Sequence, residues 1–210
     1  MIVSDPRDWQ LLDRGDALQR RAYAVLHRHR VFEHLAEFDP AHVSTIGNGL
    51  AIETSDIDII CSCTDRQCFE RVVRNVFGRL PGFSLSIRIN RGVEAVVAQF
   101  EDELPVEIYA ESTPTEQQFG YRHYMVIAKL LHFGGEPLRN AICELKRAGL
   151  KTEPAVAQRL SLAGDPYLAL LALEGASNAE LAEILRSSKI LLAISLESNS
   201  REKAQKPEVF

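Results

Sequence analysis

The pattern of apolar and polar positions divides the chain into a strand-rich first half and a helical second half. Short runs rich in β-branched residues alternate with the two-residue period of strands and are separated by glycine, proline and aspartate. They predict strands at residues 42–46, 57–63, 84–90, 92–100 and 105–110. A helix at residues 66–77 is predicted between the second and third strands. This order predicts a mixed sheet covered by helices.

Helical periodicity occurs on both sides of the predicted strands. It covers residues 7–38, with an interruption near Gly15, and resumes from Glu116 onward. We therefore expect an α/β (α+β) core at residues 1–115, a helical annex at residues 116–197 and a flexible tail at residues 198–210. Leucines in the annex form stripes that suit either a core or a partner-facing surface, at residues 168–173, Leu181, Leu185, Leu191 and Leu192.

Two carboxylates lie at the start of an apolar strand, in the segment V-S-T-I-G-N-G-L-A-I-E-T-S-D-I-D-I-I-C-S-C. Residues two apart on a strand share one face, so Asp56 and Asp58 can converge on one cation. Oxygen ligands suit a hard cation such as Mg²⁺ or Mn²⁺. The alternative is structural: Ser55 and Asp56 close a turn, and Asp58 pairs with an arginine.

A third acid, Glu107, lies between Val106 and Ile108 in the last predicted strand. It is a candidate third ligand if that strand neighbours the strand of Asp58. Alternatively, Glu107 belongs to a solvated strand face.

The order of helix, strand, glycine-containing turn, S-D-I-D strand, helix and acid-bearing strand resembles the nucleotidyltransferase superfamily with the DNA polymerase beta type of fold. A closer likeness is to a small bacterial branch of unknown function, in which the acid-bearing strand precedes a segment like P-T-E-Q-Q-F-G-Y-R-H. The resemblance covers about residues 9–166. It implies that Asp56, Asp58 and Glu107 hold divalent metal ions that bridge a nucleoside triphosphate and activate an attacking hydroxyl.

The resemblance also implies contacts to the nucleotide. The family usually carries Gly-Ser at the start of a short helix, whereas this chain has Gly47-Asn48-Gly49 after Ser44 and Thr45, with a shorter interval to Asp56. A tight turn that needs positive φ accounts for these glycines equally well. The candidate nucleotide-binding residues are Thr45, Gly47, Asn48, Ser55, Gln117, Tyr121, Arg122 and His123.

The last four of these candidates open a helical pattern. Arg122 could meet a phosphate, Tyr121 could stack on a base, and His123 or Gln117 could orient either one. The structural alternative is that Tyr121 packs in the core, Arg122 pairs with an acid, and His123 caps the helix or fills space.

Composition narrows the choice of partners and of compartment. The chain has 24 basic and 29 acidic residues and a net charge of -5, which argues against a broad nucleic-acid surface. No apolar run approaches the roughly 20 residues of a membrane span, and the first residues lack the layout of a signal peptide, so we expect a cytoplasmic protein. Cys61, Cys63 and Cys68 lack a fourth zinc ligand nearby, which favours reduced, buried thiols.

The resemblance therefore leads to the expectation of a Mg²⁺-dependent nucleotidyltransferase that moves a nucleotidyl group from an NTP to a hydroxyl acceptor. The acceptor could be a small molecule, a protein side chain or an RNA end. Two alternatives remain. One is a nucleotide-binding or regulatory module without turnover. The other is the nucleotidyltransferase-like half of a toxin-antitoxin pair, which would contact its protein partner through the C-terminal helices.

Overall fold

A five-stranded mixed sheet forms the centre of the first half of the chain. The computed structural model describes residues 5–90 and 92–188. The sheet has the spatial order β1-β2-β5-β4-β3, in which β2 and β5 are parallel and the other neighbours antiparallel. The strands are β1 (Ala41–His42), β2 (Ile57–Ser62), β3 (Ser84–Asn90), β4 (Val93–Phe100) and β5 (Val106–Glu111).

Seven α-helices occur in the described residues. They are α1 (Ala17–Arg28), α2 (Val31–His34), α3 (Arg66–Phe77), α4 (Phe119–Arg147), α5 (Thr152–Arg159), α6 (Pro166–Leu171) and α7 (Asn178–Ser187). Short 3-10 helices lie at Trp9–Arg14, Ala36–Phe38 and Thr115–Gln117. Helix α4 is kinked at Gly135, whose φ of 55° and ψ of -154° are not helical. None of these helices is long and apolar enough to cross a membrane.

One face of the sheet packs on the hydrophobic core. Alternation sends every second side chain of β2, β4 and β5 to that face. These residues form one buried cluster with apolar residues of α1 and α3, among them Leu26, Phe69 and Phe77. The sheet residues of the cluster are Ile57, Ile59, Cys61, Val96, Ala98, Phe100, Val106, Ile108 and Ala110. The side chains of Asp58 and Glu107 consequently belong to the opposite face.

The described residues separate into two compact units, 5–125 and 126–188, and α4 runs through the boundary. In the second unit, Leu181 and Leu185 of α7 are buried, as expected for core positions. Leu168 of α6 is 52% exposed. The predicted stripe residues Leu191 and Leu192 and the predicted tail at residues 198–210 lie outside the described residues.

The predicted fold class, a mixed sheet flanked by helices, is confirmed. The strand predicted at residues 42–46 is wrong beyond His42, because the backbone N–H of Gly47 turns back to the carbonyl of Ser44. The helix predicted at residues 7–38 is broken into short pieces. Arg30 and Asp39 adopt left-handed φ values of 49° and 47°, which end helical segments without glycine.

Candidate functional site

Asp58 and Glu107 are direct neighbours across the parallel strands β2 and β5. Each is the second residue of its strand, so both belong to the same end of the sheet and to the face opposite the core. Asp56 is exposed and directly precedes β2. The register therefore makes Asp58 and Glu107, two of the three predicted metal ligands, direct neighbours. The third predicted ligand, Asp56, lies two residues before Asp58 in the chain.

Gln99 of β4 lies next to Glu107 on a third strand. Asp58, Glu107 and Gln99 thus form a row across three strands, which we call the carboxylate row. Gln99 is the register partner of Glu107, and its Nε2 donates a hydrogen bond to Glu107 Oε2 at 2.8 Å. Arg88 of β3 reaches the same oxygen, with Nη1 at 3.5 Å. Because both donors meet one carboxylate oxygen, they fix the rotation of the Glu107 carboxylate and supply a positive charge beside it.

The donor set has the chemistry that Mg²⁺ or Mn²⁺ requires, since all three residues offer carboxylate oxygens. Within the described ranges, however, no three His, Cys, Asp or Glu side chains are gathered tightly enough to form a metal-binding cluster. Metal binding by Asp56, Asp58 and Glu107 therefore remains a prediction, and it requires these three carboxylates to come closer together.

The loop between β1 and β2 joins two of the predicted nucleotide-binding residues. Thr45 Oγ1 lies 3.3 Å from Ser55 Oγ, and Ser55 Oγ also accepts the backbone N–H of Ile52 at 2.9 Å. The N–H of Leu50 donates to the Thr45 carbonyl at 2.8 Å. These bonds close the loop and hold two hydroxyl groups next to Asp56, where they are suited to contact phosphate oxygens.

Gly47 is required for close packing and not for a left-handed turn. Only Gly49 of this loop has positive φ, at 74°. A Cβ on Gly47 would lie 2.8 Å from Tyr124 Oη and 3.1 Å from His42 Nδ1. Asn48 has a local role, because its Oδ1 accepts the N–H of Leu50 at 3.3 Å. The positive-φ interpretation of the loop is thus right for one glycine and wrong for the other.

His42 supports the loop from inside the protein. Its side chain is buried, and Nε2 lies 2.7 Å from Ser44 Oγ. Burial lowers the pKa of His42 to about 4, so the imidazole is neutral at physiological pH. This histidine is not among the residues predicted for the site, because a histidine at the end of a short strand carries no distinguishing signal.

The start of α4 lies over the sheet face that carries the carboxylates. A Cβ on Gly120 would lie 3.6 Å from Ile60 Cγ2, and Ile60 is two residues beyond Asp58 on the same face of β2. Gln118 anchors the helix start, because its Nε2 donates to the carbonyls of Cys61 and Thr113 at 2.8 and 2.9 Å. Gln117 is exposed just before the helix. This packing places the first helical turn over β2 at Ile60, two residues beyond Asp58.

Tyr121 is held by residues of the N-terminal segment. Its hydroxyl donates to Asp5 Oδ2 at 2.9 Å and accepts from Arg7 Nη1 at 3.2 Å. Burial and the hydrogen bond to Asp5 raise the pKa of Tyr121 to about 12. Arg7 also forms a bidentate pair with Asp39, at 2.9 and 2.8 Å, and contacts Glu116 at 3.2 Å. The Tyr121 side chain therefore has a structural role, and base stacking by its ring stays a prediction.

Arg122 and His123 both lie beside Phe119. The Arg122 guanidinium is 6.0 Å from the centre of the Phe119 ring, and the His123 ring is 5.9 Å from it. His123 is buried, as the space-filling alternative predicts, whereas Arg122 is half-buried. Phosphate contact by Arg122 stays a prediction.

The cysteines do not take part in this site. Cys61, Cys63, Cys68 and Cys143 are free thiols, and Cys61 and Cys63 lie in the core cluster on the face opposite Asp58. Burial raises the pKa of the Cys61 thiol above its ordinary value. A protonated, buried thiol is a poor metal ligand and a poor nucleophile.

Comparison with solved structures finds 21 matching chains. The structure of a GLD-2/RNP-8 complex aligns with 88% of this chain and 70% of its own chain, at 12% identity and a TM-score of 0.49. The Cid1 poly(U) polymerase bound to MgATP aligns over 80% and 55%, at 11% identity and a TM-score of 0.47. The polymerase core of TRAMP, an RNA surveillance complex, aligns over 82% and 54%, at 11% identity and a TM-score of 0.43.

This chain thus spans little more than half the length of the last two proteins. These identities are too low to carry residue roles over. No curated protein matches the chain. A family model does match, over residues 24–173, and it covers the sheet, the carboxylate row and the first helices of the second unit. The chain therefore belongs to the family described as Domain of unknown function (DUF4269).

Proposed function

We propose that this chain is an enzyme, a Mg²⁺-dependent nucleotidyltransferase that moves a nucleotidyl group from an NTP to a hydroxyl acceptor. Asp56, Asp58 and Glu107 are the proposed cation ligands. The observation that carries the proposal is the register pairing of Asp58 with Glu107. Like charges directly opposite one another on neighbouring strands are unfavourable, and a cation between them removes that cost.

The proposed reaction is an in-line displacement at the α-phosphorus. The acceptor oxygen forms a bond to phosphorus, the bond to the bridging oxygen of the β-phosphate breaks, pyrophosphate leaves, and the hydroxyl proton passes to solvent. Bound Mg²⁺ supplies charge stabilisation on the attacking and leaving oxygens. The acceptor class stays open between a small molecule, a protein side chain and an RNA end.

The protein's own groups have separate roles in this proposal. Gln99 and Arg88 hold one oxygen of Glu107, which leaves the other oxygen available for the cation. Gly47 supports the loop through close packing, and its N–H already donates to the Ser44 carbonyl. The hydroxyls of Thr45 and Ser55 contact the phosphates, together with Asn48 and backbone N–H groups of the first turn of α4. Gln117, Tyr121, Arg122 and His123 are proposed to orient the nucleotide from the start of that helix.

Thermal unfolding with each NTP, with and without Mg²⁺, tests the proposal. A ligand at a hundred times its Kd stabilises the folded state by about 2.7 kcal/mol. We expect one NTP to raise the Tm of the wild type only when Mg²⁺ is present, and Asp58→Asn to abolish that shift. Glu111→Gln is the matched control, because Glu111 lies on the same face of β5, four residues beyond Glu107. Equal shifts in the wild type and Asp58→Asn, or no shift with any NTP, would overturn the proposal.

A second candidate is a module that binds nucleotides without turnover. The observation that favours it is that the carboxylates of Asp56, Asp58 and Glu107 are not gathered into a metal-binding cluster in the described part of the chain. Binding of an NTP that does not depend on Mg²⁺ and survives Asp58→Asn would favour this candidate.

A further inference from the structure

Strand β3 forms one edge of the sheet. Among the described strands it pairs with β4 alone, over all seven of its residues. Its outer side therefore presents a row of backbone N–H and C=O groups that β4 does not use. Such a row is a template for another strand.

The side chains of β3 are also unusually exposed. Ile89 is 78% exposed, more than any other large apolar side chain in the described ranges, and Ile87 is 47% exposed. Both lie on the same face of the strand as Leu85, which packs against the core cluster. The apolar row formed by Leu85, Ile87 and Ile89 thus begins at the core cluster and continues into the solvent-exposed part of the strand. An exposed apolar row of this kind marks an interaction surface.

The edge has few of the features that block strand pairing. Proteins protect edge strands with proline, with charged side chains and lysine above all, with bulges or with short length. The sequence of β3, S-L-S-I-R-I-N, contains neither proline nor lysine, and its seven residues pair with β4 without a bulge. Arg88 is the single charged residue of the strand.

We propose that β3 is the contact surface of a two-fold symmetric dimer, in which the β3 strands of two copies pair antiparallel about Ile87. In this register Ile87 lies opposite Ile87 of the partner subunit. Leu85 lies opposite the partner subunit's Ile89, and Ser86 opposite the partner subunit's Arg88. Leu85, Ile87 and Ile89 then each lie opposite an apolar residue of the partner subunit, and the guanidinium group of Arg88 lies opposite a serine hydroxyl group.

Neighbouring registers are less favourable. A pairing centred on Arg88 sets two guanidinium groups directly opposite each other. A pairing centred on Ser86 shifts Ile89 past the end of the partner subunit's β3 and leaves two residues of each strand without a strand partner. The strand is therefore self-complementary over its full length only in the register centred on Ile87. A symmetric interface requires this property, because the same patch serves both copies. The self-complementary strand therefore favours a second copy of the chain over an unrelated partner.

Sedimentation velocity of the full chain over about 1 to 100 µM tests the dimer. We expect a species with twice the chain mass of 23.5 kDa. Ile87→Lys sets two ammonium groups opposite each other and should raise the dimer Kd about a hundredfold. Leu168→Lys is the matched control, because Leu168 is 52% exposed and lies on α6; it should leave the dimer unchanged. A monomer throughout the range, or a dimer insensitive to Ile87→Lys, would overturn the proposal.

Disulfide trapping tests the register. In a Cys68→Ser background, which removes the half-buried native thiol, Ile87→Cys should form a covalent dimer because position 87 faces itself across the axis. Ile89→Cys should cross-link much less, although position 89 is the more exposed. Equal trapping at both positions, or faster trapping at position 89, would reject the register.

Discussion

Asp58 and Glu107 are neighbours across two parallel strands, and the amide of Gln99 holds one oxygen of Glu107 at 2.8 Å from the next strand. The three side chains form one row across β2, β5 and β4, on the face opposite the hydrophobic core. Asp58 and Glu107 are both negatively charged, and Gln99 orients the carboxylate of Glu107. This arrangement is suited to receive a cation at one end of the sheet.

Glu107→Gln is expected to weaken Mn²⁺ binding by at least about tenfold, because it removes a charged ligand and leaves an amide in its place. Titration followed by the electron paramagnetic resonance of free Mn²⁺ measures the affinity. Glu111→Gln, on the same face of the same strand, should retain wild-type affinity. If both variants lose affinity equally, the ion binds through general surface charge and not at the carboxylate row.

Gln99→Leu is expected to weaken Mn²⁺ binding severalfold, although Gln99 is not a proposed ligand. The variant removes the hydrogen bond that fixes Glu107 and leaves Arg88, at 3.5 Å, as the group beside it. Ser84→Ala is the control, because the Ser84 hydroxyl donates to the other end of the same amide at 3.4 Å. Unchanged affinity in Gln99→Leu would show that Glu107 does not need this partner.

Local pattern was sufficient to predict α3 and the four strands from β2 to β5, since hydrophobic alternation and turn residues determine them. The strand at Ser84–Asn90 and the helix at Arg66–Phe77 have the predicted bounds. The pairing of Asp58 with Glu107 could also be predicted from the sequence, because each acid is the second residue of its strand. The partner Gln99 could have been found as well: the loop at residues 101–105 is centred on Glu103, and Gln99 and Glu107 lie four residues on either side of it.

Other features depend on contacts between distant residues, which no local pattern encodes. Arg7 pairs with Asp39, 32 residues away, and with Tyr121, 114 residues away. The left-handed Arg30 ends a helical segment although its sequence lacks a glycine there. For the same reason, the predicted strand after His42 gives way to a turn that His42, Ser44 and Tyr124 stabilise.

Gly47→Ala is expected to destabilise the protein by about 1 to 3 kcal/mol, because the new methyl group overlaps tightly packed atoms. The nearest is Tyr124 Oη, at 2.8 Å. Urea unfolding measures the loss, and adding Tyr124→Phe should recover part of it, since that change removes the overlapping hydroxyl. Gly120→Ala is the control, because its Cβ would meet no atom within 3.4 Å and it lies in a helix. A stability equal to that of the wild type in Gly47→Ala would contradict the packing role.

His42 is expected to make stability fall between about pH 6.5 and pH 4. Its pKa is lowered by burial to about 4 in the folded protein, against about 6.5 in the unfolded chain. In this interval the unfolded chain binds the proton and the folded protein does not, so acid favours unfolding. The full stability is present above pH 6.5, and His42 accounts for a loss of about 2 kcal/mol at pH 5.

Urea unfolding of the wild type and His42→Gln at pH 7.5 and pH 5 measures this contribution. His42→Gln should be less stable at pH 7.5, because it disturbs a buried hydrogen bond to Ser44. Its further loss between the two pH values should be smaller than that of the wild type by about 2 kcal/mol, because the variant has no group to titrate there. His27→Gln replaces an exposed histidine and should leave the wild-type difference intact. An equal pH dependence in the wild type and His42→Gln would contradict the prediction, because His42 would then bind a proton as readily in the folded protein as in the unfolded chain.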